Sequence, residues 1–437
     1  MFINRKKVWS LSWPLIIANF TIPLVGLTDT IIMGHMPDSL YLAAIAIGGI
    51  VFNFMYAGLN FLRMGTTGIV AQKFGENNFE EVFFSLLRPT LIAVSVGFIL
   101  YLNRNYIYDL SVYFLTPDQQ LLPLYKEYLF IRMIGLPAGL LNIVFLGWFF
   151  GMQKTKSVML QLVIINLMNV SASLYLAVYL EYGIFGVALG SVLAQISGLL
   201  LSVIIFLNHF KTLNFSSFDL KKILNLNGFL NLFSISKNLF VRTMILVSVQ
   251  AYLIKKSGLI GVDQLATMEI LIVIFGLSSY TLDAFAHAAE STVGVSIGSK
   301  NKKNIYKSIK NTTEFALTFS VLIGIVLYIT DYYIINLFTD IPVLQDLTID
   351  LWSLVIITPF ISMLAFQLDG IFIGATLAKE MRNSMILSSL IFYLVIEFII
   401  QDTLNLKNLY SCFLLFLILR GVFLTFYLPR VFKLIKN

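Results

Sequence analysis

Long apolar runs separated by short polar turns fill this chain. Twelve can be traced, over roughly 9–34, 41–71, 87–103, 122–150, 157–180, 183–207, 235–256, 264–297, 311–330, 343–375, 383–401 and 407–430. About 20 mostly apolar residues suffice for a helix to cross the hydrocarbon core of a bilayer. The pattern therefore predicts twelve spanning helices. Several runs are longer than needed and carry Gly or Pro, so tilted or kinked helices are expected. The widest gap, near His209 to Leu232, is shorter than the ~50 residues of even a small domain.

Composition agrees. Of 437 residues, 58% are hydrophobic and 12% charged; soluble domains carry roughly 25% charged residues. The net charge of +7 does not point to nucleic acid, because the basic residues are scattered over short loops and line no face. They sort instead by alternate loops. With the N-terminus in the cytoplasm, inside segments hold 21 Lys and Arg and outside loops 5, with Arg63, Arg132, Arg242 and Arg420 inside spans. That bias predicts both termini on the cytoplasmic side. Asn4-Arg5-Lys6-Lys7 resembles the start of a signal peptide, but the apolar run that follows is too long for one and reads as an uncleaved first helix. A single cysteine, Cys412, allows no internal disulfide and no metal cluster. No metal or cofactor is expected.

The chain also repeats itself. Gly75 and Gly298, Leu42-Ala43 and Leu265-Ala266, Gly151 and Gly374, and Lys156 and Lys379 are each separated by 223 positions. One constant offset means two six-helix halves. Six is even, so both halves insert the same way up, as a parallel repeat about an axis along the membrane normal. The expected fold is all-α and membrane-integral: a six-helix lobe over 1–207, a cytoplasmic linker over 208–234 and a second six-helix lobe over 235–437. Asp29 maps onto Tyr252, and Asp369 maps back onto Leu146. The acids inside the spans are thus not duplicated packing features.

Asp29 lies in an otherwise uncharged run, Trp13 to Gly34, with Pro14 and Pro23 on the same segment. A carboxylate at mid-bilayer costs roughly 2.5–3.5 kcal/mol on insertion scales, and proline removes a helix hydrogen bond and permits bending. Burial favours the neutral form of a carboxyl, as a proton carrier requires. The plainer alternative is a structural carboxylate bonded to Thr28, Thr30 or a neighbouring helix. Asn166, Asn169 and Ser173 share one face of the fifth span by their spacing. They are candidate partners for Asp29 or interhelical glue, and Asn142 and Ser191 belong to the same group. In the second half, Asp283, His287 and Glu290 share a face of the eighth span. Arg242 is their candidate counter-charge, and Asp369 joins the set. It is either a cation or proton site or a salt-bridge network. Arg63 with Glu269, Glu397 or Arg420 is a candidate cross-brace. His287 pairs with no Ser or Cys in a recognisable catalytic motif.

LTDTIIMGH (27–35), FLRMGTTGIVAQKFG (61–75), YTLDAFAHAAESTVGVSIG (280–298) and LDGIFIGATLAKEMRNSM (368–385) resemble the multidrug and toxic compound extrusion (MATE) family, in its branch named for DNA-damage-inducible protein F. The resemblance implies an antiporter in the bacterial cytoplasmic membrane. It would expel organic cations or other amphipathic compounds, driven by H+ or Na+ influx, as its two halves rock between outward-open and inward-open states. It implies that Asp29 is the proton site, with Asn169 among its polar neighbours. Many relatives carry an Asp where this chain has Ser173, which argues against a two-carboxylate relay and against a Na+ site needing both charges. A monomer is expected. A lipid-linked-precursor flippase of the same superfamily and an integral-membrane enzyme are the alternative readings.

Overall fold

The structure, a computed structural model, describes residues 3–34, 39–210 and 226–435. Within them it is helical, with no strand. Every apolar run of the sequence is a helix. They are α1 (Arg5–Gly34), α2 (Ser39–Leu59) with α3 (Phe61–Gly75), α4 (Phe79–Leu102), α6 (Leu122–Gly151), α7 (Thr155–Ser173), α8 (Gly183–Phe210), α9 (Leu226–Ile260), α10 (Val262–Gly298), α11 (Lys302–Ile329), α13 (Pro342–Gly374), α14 (Ala378–Leu394) and α15 (Leu406–Lys433). α1 is helical through both Pro14 and Pro23. Two short helices lie outside the apolar runs: α5 (Arg104–Leu115) after α4, and α12 (Asp331–Phe338) after α11. Neither is long enough to cross a bilayer. Both expose aromatic side chains, Tyr106, Tyr113, Tyr332 and Tyr333 among them, as helices lying in a membrane interface do. Most of the linker expected over 208–234 falls outside the described residues, as does His35.

The repeat is written into the backbone. Asn77, Gln153, Lys300 and Thr376 all have left-handed φ, between 53° and 60°, and they form two pairs separated by 223. Each ends a helix the same way. The amide of Asn77 donates to Phe74 O and that of Asn78 to Lys73 O; in the second half Lys300 donates to Ile297 O and Asn301 to Ser296 O. Gln153–Lys154 and Thr376–Leu377 repeat the pattern. These paired bonds satisfy carbonyls that a helix end otherwise leaves open. Asn78 Oδ1 then accepts from Glu81 N at 3.1 Å and caps α4, and Asn301 Oδ1 accepts from Asn304 N at 3.0 Å and caps α11.

Glycines fix the closest helix packing, again in pairs 223 apart. A Cβ on Gly147 of α6 would lie 3.0 Å from Thr66 Cβ, and one on Gly151 would lie 2.6 Å from Val70 Cβ, both on α3. A Cβ on Gly370 of α13 would lie 2.8 Å from the carbonyl carbon of Ala286, and one on Gly374 would lie 3.1 Å from that of Glu290, both on α10. Glycines four apart let two backbones approach closely, which drives helix association where lipid offers no hydrophobic gradient.

The contacts divide the chain into two compact units, Ile17–Phe233 and Met1–Ile16 with Ser234–Asn437. The first unit has an aromatic core around Trp148, stacked edge-on with Phe206 at 5.5 Å and donating its indole N–H to Val82 O at 2.9 Å. The second has a continuous apolar core through Leu253, Met268, Trp352, Phe392 and Phe416. The sequence boundary at 207/208 puts residues 1–16 in the first lobe, whereas the fold packs them with the second. Ile3, Val8 and Leu11 bury themselves against Ala288, and Trp9 stacks on Phe315 at 6.0 Å. α1 thus begins in one unit and continues in the other.

Candidate functional site

Asp29 sits in the last two turns of α1 and is 8% exposed. Its Oδ1 has no hydrogen-bond partner, and no ion pair to it is found, among the described residues. It is nevertheless coupled electrostatically to Arg132 of α6. That guanidinium is held elsewhere: Arg132 Nη1 donates to the Tyr128 hydroxyl at 2.7 Å, and its charge lies 4.3 Å from the centre of the Phe52 ring. Tyr56 is a further electrostatic neighbour of Arg132. Small residues make room for this group. A Cβ on Gly48 would run into the Tyr128 ring, and one on Gly139 would lie 3.0 Å from Tyr56 Cζ. The arrangement is an acid facing a cation that is already occupied.

The polar residues of α7 are placed around α1 and α8, not on Asp29. Asn166 Nδ2 donates to Thr21 Oγ1, which itself donates to Ala18 O at 2.7 Å. Asn169 Nδ2 donates to Ser191 Oγ at 3.0 Å. The expected bond from Asn166 or Asn169 to Asp29 is therefore not formed. The reason is position along the axis: Thr21 lies eight residues, about 12 Å of helix, before Asp29, with Pro23 between. Asn142 joins a separate network. It donates to Gln195 O at 2.8 Å and Gln195 Oε1 at 2.9 Å, and its Oδ1 accepts from Gln161 Nε2 at 3.1 Å. Ser173 is buried against Gly190, whose added Cβ would lie 2.6 Å from Ser173 Oγ.

Several polar atoms here remain open. Among the described residues, Asp29 Oδ1, Gln161 Oε1, Asn169 Oδ1 and Ser173 Oγ have no partner. Leaving a buried polar group unsatisfied costs roughly 1–3 kcal/mol, so such atoms mark places where something else, water or ligand, completes the bonding. Immediately after Ser173 the helix widens into a π-turn over Leu174–Tyr179. Its counterpart follows α14 at Val395–Ile399. Such turns are frequent at functional positions.

The second unit holds a different kind of site. Arg242 of α9 and Arg420 of α15 both donate to Asp369 Oδ2 of α13, and all three are buried. Asp283 of α10 is the further charge coupled to Arg420. His287 Nδ1 and Glu290 Oε1 lie 3.0 Å apart, and Glu290 is 1% exposed. Arg242 therefore serves Asp369 directly. The network is a braced cluster with its charges matched. Glu397 meets Lys256 Nζ at 2.8 Å and accepts from the Tyr252 hydroxyl, and Arg420 meets Asp369. Arg63 lies over the Phe150 ring at 5.5 Å and donates to Asn60 Oδ1 at 3.3 Å.

Sequence reasoning did not assign a role to Arg132, Tyr128, Tyr56, Thr21, Gln161 or Gln195. The usable signal was Arg132 itself, a lone cation inside a span, since intramembrane charges rarely lack a partner.

A two-repeat helical bundle with ionisable groups inside its spans has the features of a membrane transporter. The MatE family model matches residues 14–174 and again 239–399, an offset of 225 close to the 223 of the repeat, and the chain belongs to that family. It is 30% identical over 419 residues to DNA damage-inducible protein F of Escherichia coli (strain K12), covering 96% of this chain and 91% of that protein. It is 23% identical to a probable multidrug resistance protein NorM of Bacillus cereus, covering 89% of this chain and 86% of that protein. A MOP superfamily transporter from Pyrococcus furiosus superposes with a TM-score of 0.87 at 18% identity, over 99% of this chain and 97% of that one. The protein is a multi-pass MATE-family efflux transporter, a secondary transporter and not an enzyme.

Proposed function

We propose that this protein is a proton-coupled antiporter that exports organic cations or other amphipathic compounds by alternating access, with Asp29 as the proton site. The observation that carries the reading is the state of Asp29: buried, open at Oδ1, and facing a cation that is occupied by Tyr128 and Phe52. A carboxylate clamped to arginine would stay ionised; Asp29 has no such clamp among the described residues, and on this reading it takes up and releases the proton. Arg132 also sets the sign of the switch. With Asp29 ionised the pair is neutral and tolerates a bound organic cation. With Asp29 protonated the site carries Arg132's charge alone and repels that cation. One proton entering down a membrane potential adds about 2.3 kcal/mol per 100 mV, so a one-for-one exchange supports concentrative export.

The setting we propose is the bacterial cytoplasmic membrane, with both termini cytoplasmic and the protein a monomer. Asn166, Asn169, Ser173 and Ser191, with Asn142, form a polar region set apart from Asp29 along the helices, and Pro23, between Thr21 and Asp29, gives α1 room to bend as the proton moves. The Arg242–Asp369–Arg420 cluster, with Asp283, His287 and Glu290, braces the second lobe. The test is transport in proteoliposomes under imposed pH or Na+ gradients. Export driven by a pH gradient in the wild type and lost in Asp29→Asn, with the variant still inserted, supports the reading. Export that follows Na+ alone, or that survives in Asp29→Asn, overturns it.

A further inference from the structure

The N-terminal segment and the first turns of α11 border an open cleft of ≈ 750 Å³. Five cations line it, Arg5, Lys6, Lys303, Lys307 and Lys310, against one carboxylate, Glu314. Glu314 is spoken for: Arg5 Nη2 meets its Oε2 at 2.8 Å, and Lys310 Nζ approaches its Oε1 at 3.9 Å. That bridge ties the two walls together. The N-terminal wall is anchored in turn by Ile3, Val8 and Leu11 in the core against Ala288. The cleft is thus a fixed feature with excess positive charge. The transport cycle described above does not use it.

We propose that this cleft binds the phosphodiester headgroup of an anionic membrane lipid. Charge alone would suit any phosphate; the shape of α11 selects a lipid. Lys303, Lys307, Lys310 and Glu314 lie on one face of the helix by their spacing of three and four. The same face continues as Leu317, Val321 and Ile325, which are 40%, 45% and 48% exposed. From Lys310 to Ile325 is about 22 Å along the axis, enough to accompany an acyl chain into the bilayer. Tyr306, also on the cleft, is an exposed aromatic of the kind that sits at headgroup level. A basic recess above an apolar stripe on one helix matches the two ends of a phospholipid. Basic pockets at the ends of spanning helices recognise such headgroups.

The full-length protein in detergent with a constant amount of dioleoylphosphatidylcholine is titrated with dioleoylphosphatidylglycerol, and retained lipid is counted by native mass spectrometry. The expected result is selective retention of phosphatidylglycerol, weakened roughly a hundredfold in Lys303→Gln/Lys307→Gln/Lys310→Gln. Should the triple variant fail to fold, Lys6→Gln and Lys303→Gln singly are expected to lose roughly fivefold each. A phosphatidylglycerol carrying a diazirine in its tail is expected to label the peptide around Leu317–Ile325 above other spans. Equal retention of the two lipids, unchanged affinity in the glutamine variants, or labelling spread evenly over the spans overturns the proposal. So does displacement by glycerol 3-phosphate or inorganic phosphate as effective as the lipid itself, which would make the cleft a site for soluble anions.

Discussion

Replacing Asp369 by asparagine removes one charge and leaves two. Arg242 and Arg420 both donate to a single oxygen of this carboxylate, and their own charges repel. The substituted amide would offer a carbonyl of similar shape but no negative charge, so the side-chain volume is kept and the electrostatics alone change. Breaking a buried ion pair from one side costs roughly 3–5 kcal/mol, because the remaining charge is left without compensation. For a lobe of about 200 residues that corresponds to a fall in melting temperature on the order of 10 °C. The assay is thermal unfolding in detergent followed by loss of monodisperse protein. A second substitution isolates the cause. Arg242→Gln on top of Asp369→Asn removes one of the stranded cations and leaves Arg420 with its coupling to Asp283, so the double variant should be more stable than Asp369→Asn alone. A single variant that melts with the wild type, or a double variant in which the two losses add, would refute the view that this cluster is a charge-balanced brace. Normal melting with lost transport would instead place Asp369 in the transport cycle.

Other consequences are as direct. Gly374→Ala should destabilise by roughly 1–3 kcal/mol by overpacking, since its Cβ meets the backbone of α10; Gly49→Ala, inside α2 with nothing within 4 Å, should raise stability by about 0.5–1 kcal/mol in the same melting assay. Thr376→Gly should stabilise by about 1 kcal/mol, because a β-branched residue holds a φ of 56° there, and a lower melting temperature would contradict this. Asn166→Ala and Thr21→Val should each lower export by a similar factor. Their combination should be no worse than either, because both remove the same bond between α7 and α1; fully additive losses would show that the bond is not the shared cause.

The positions of the spanning helices were legible because hydropathy is a local property and the bilayer sets their length. The repeat was legible because Gly75 and Gly298, and Gly151 and Gly374, hold their places for backbone reasons: close packing and a tight helix stop. Less local features were not. α5 and α12 are too short to form an apolar run. Nothing near residues 1–16 says that Ile3, Val8 and Leu11 pack with Ala288, far along the chain. That Arg132 faces Asp29, and that Arg242 serves Asp369 directly, depends on which helix faces meet, and spacing within one helix does not fix that. The π-turns after Ser173 and Leu394 leave no mark in residue type at all.

Infrared difference spectroscopy of the Asp29 carboxyl tests the central claim most directly. The protein, reconstituted in lipid, is taken through the pH range in which it transports, and the protonated-carboxyl stretch is followed in the wild type and in Asp29→Asn. A band that disappears as pH rises, returns as it falls, shifts when an organic cation is added and is absent from Asp29→Asn is the predicted result. A carboxylate that stays ionised throughout, with no band lost in the variant, would contradict the account.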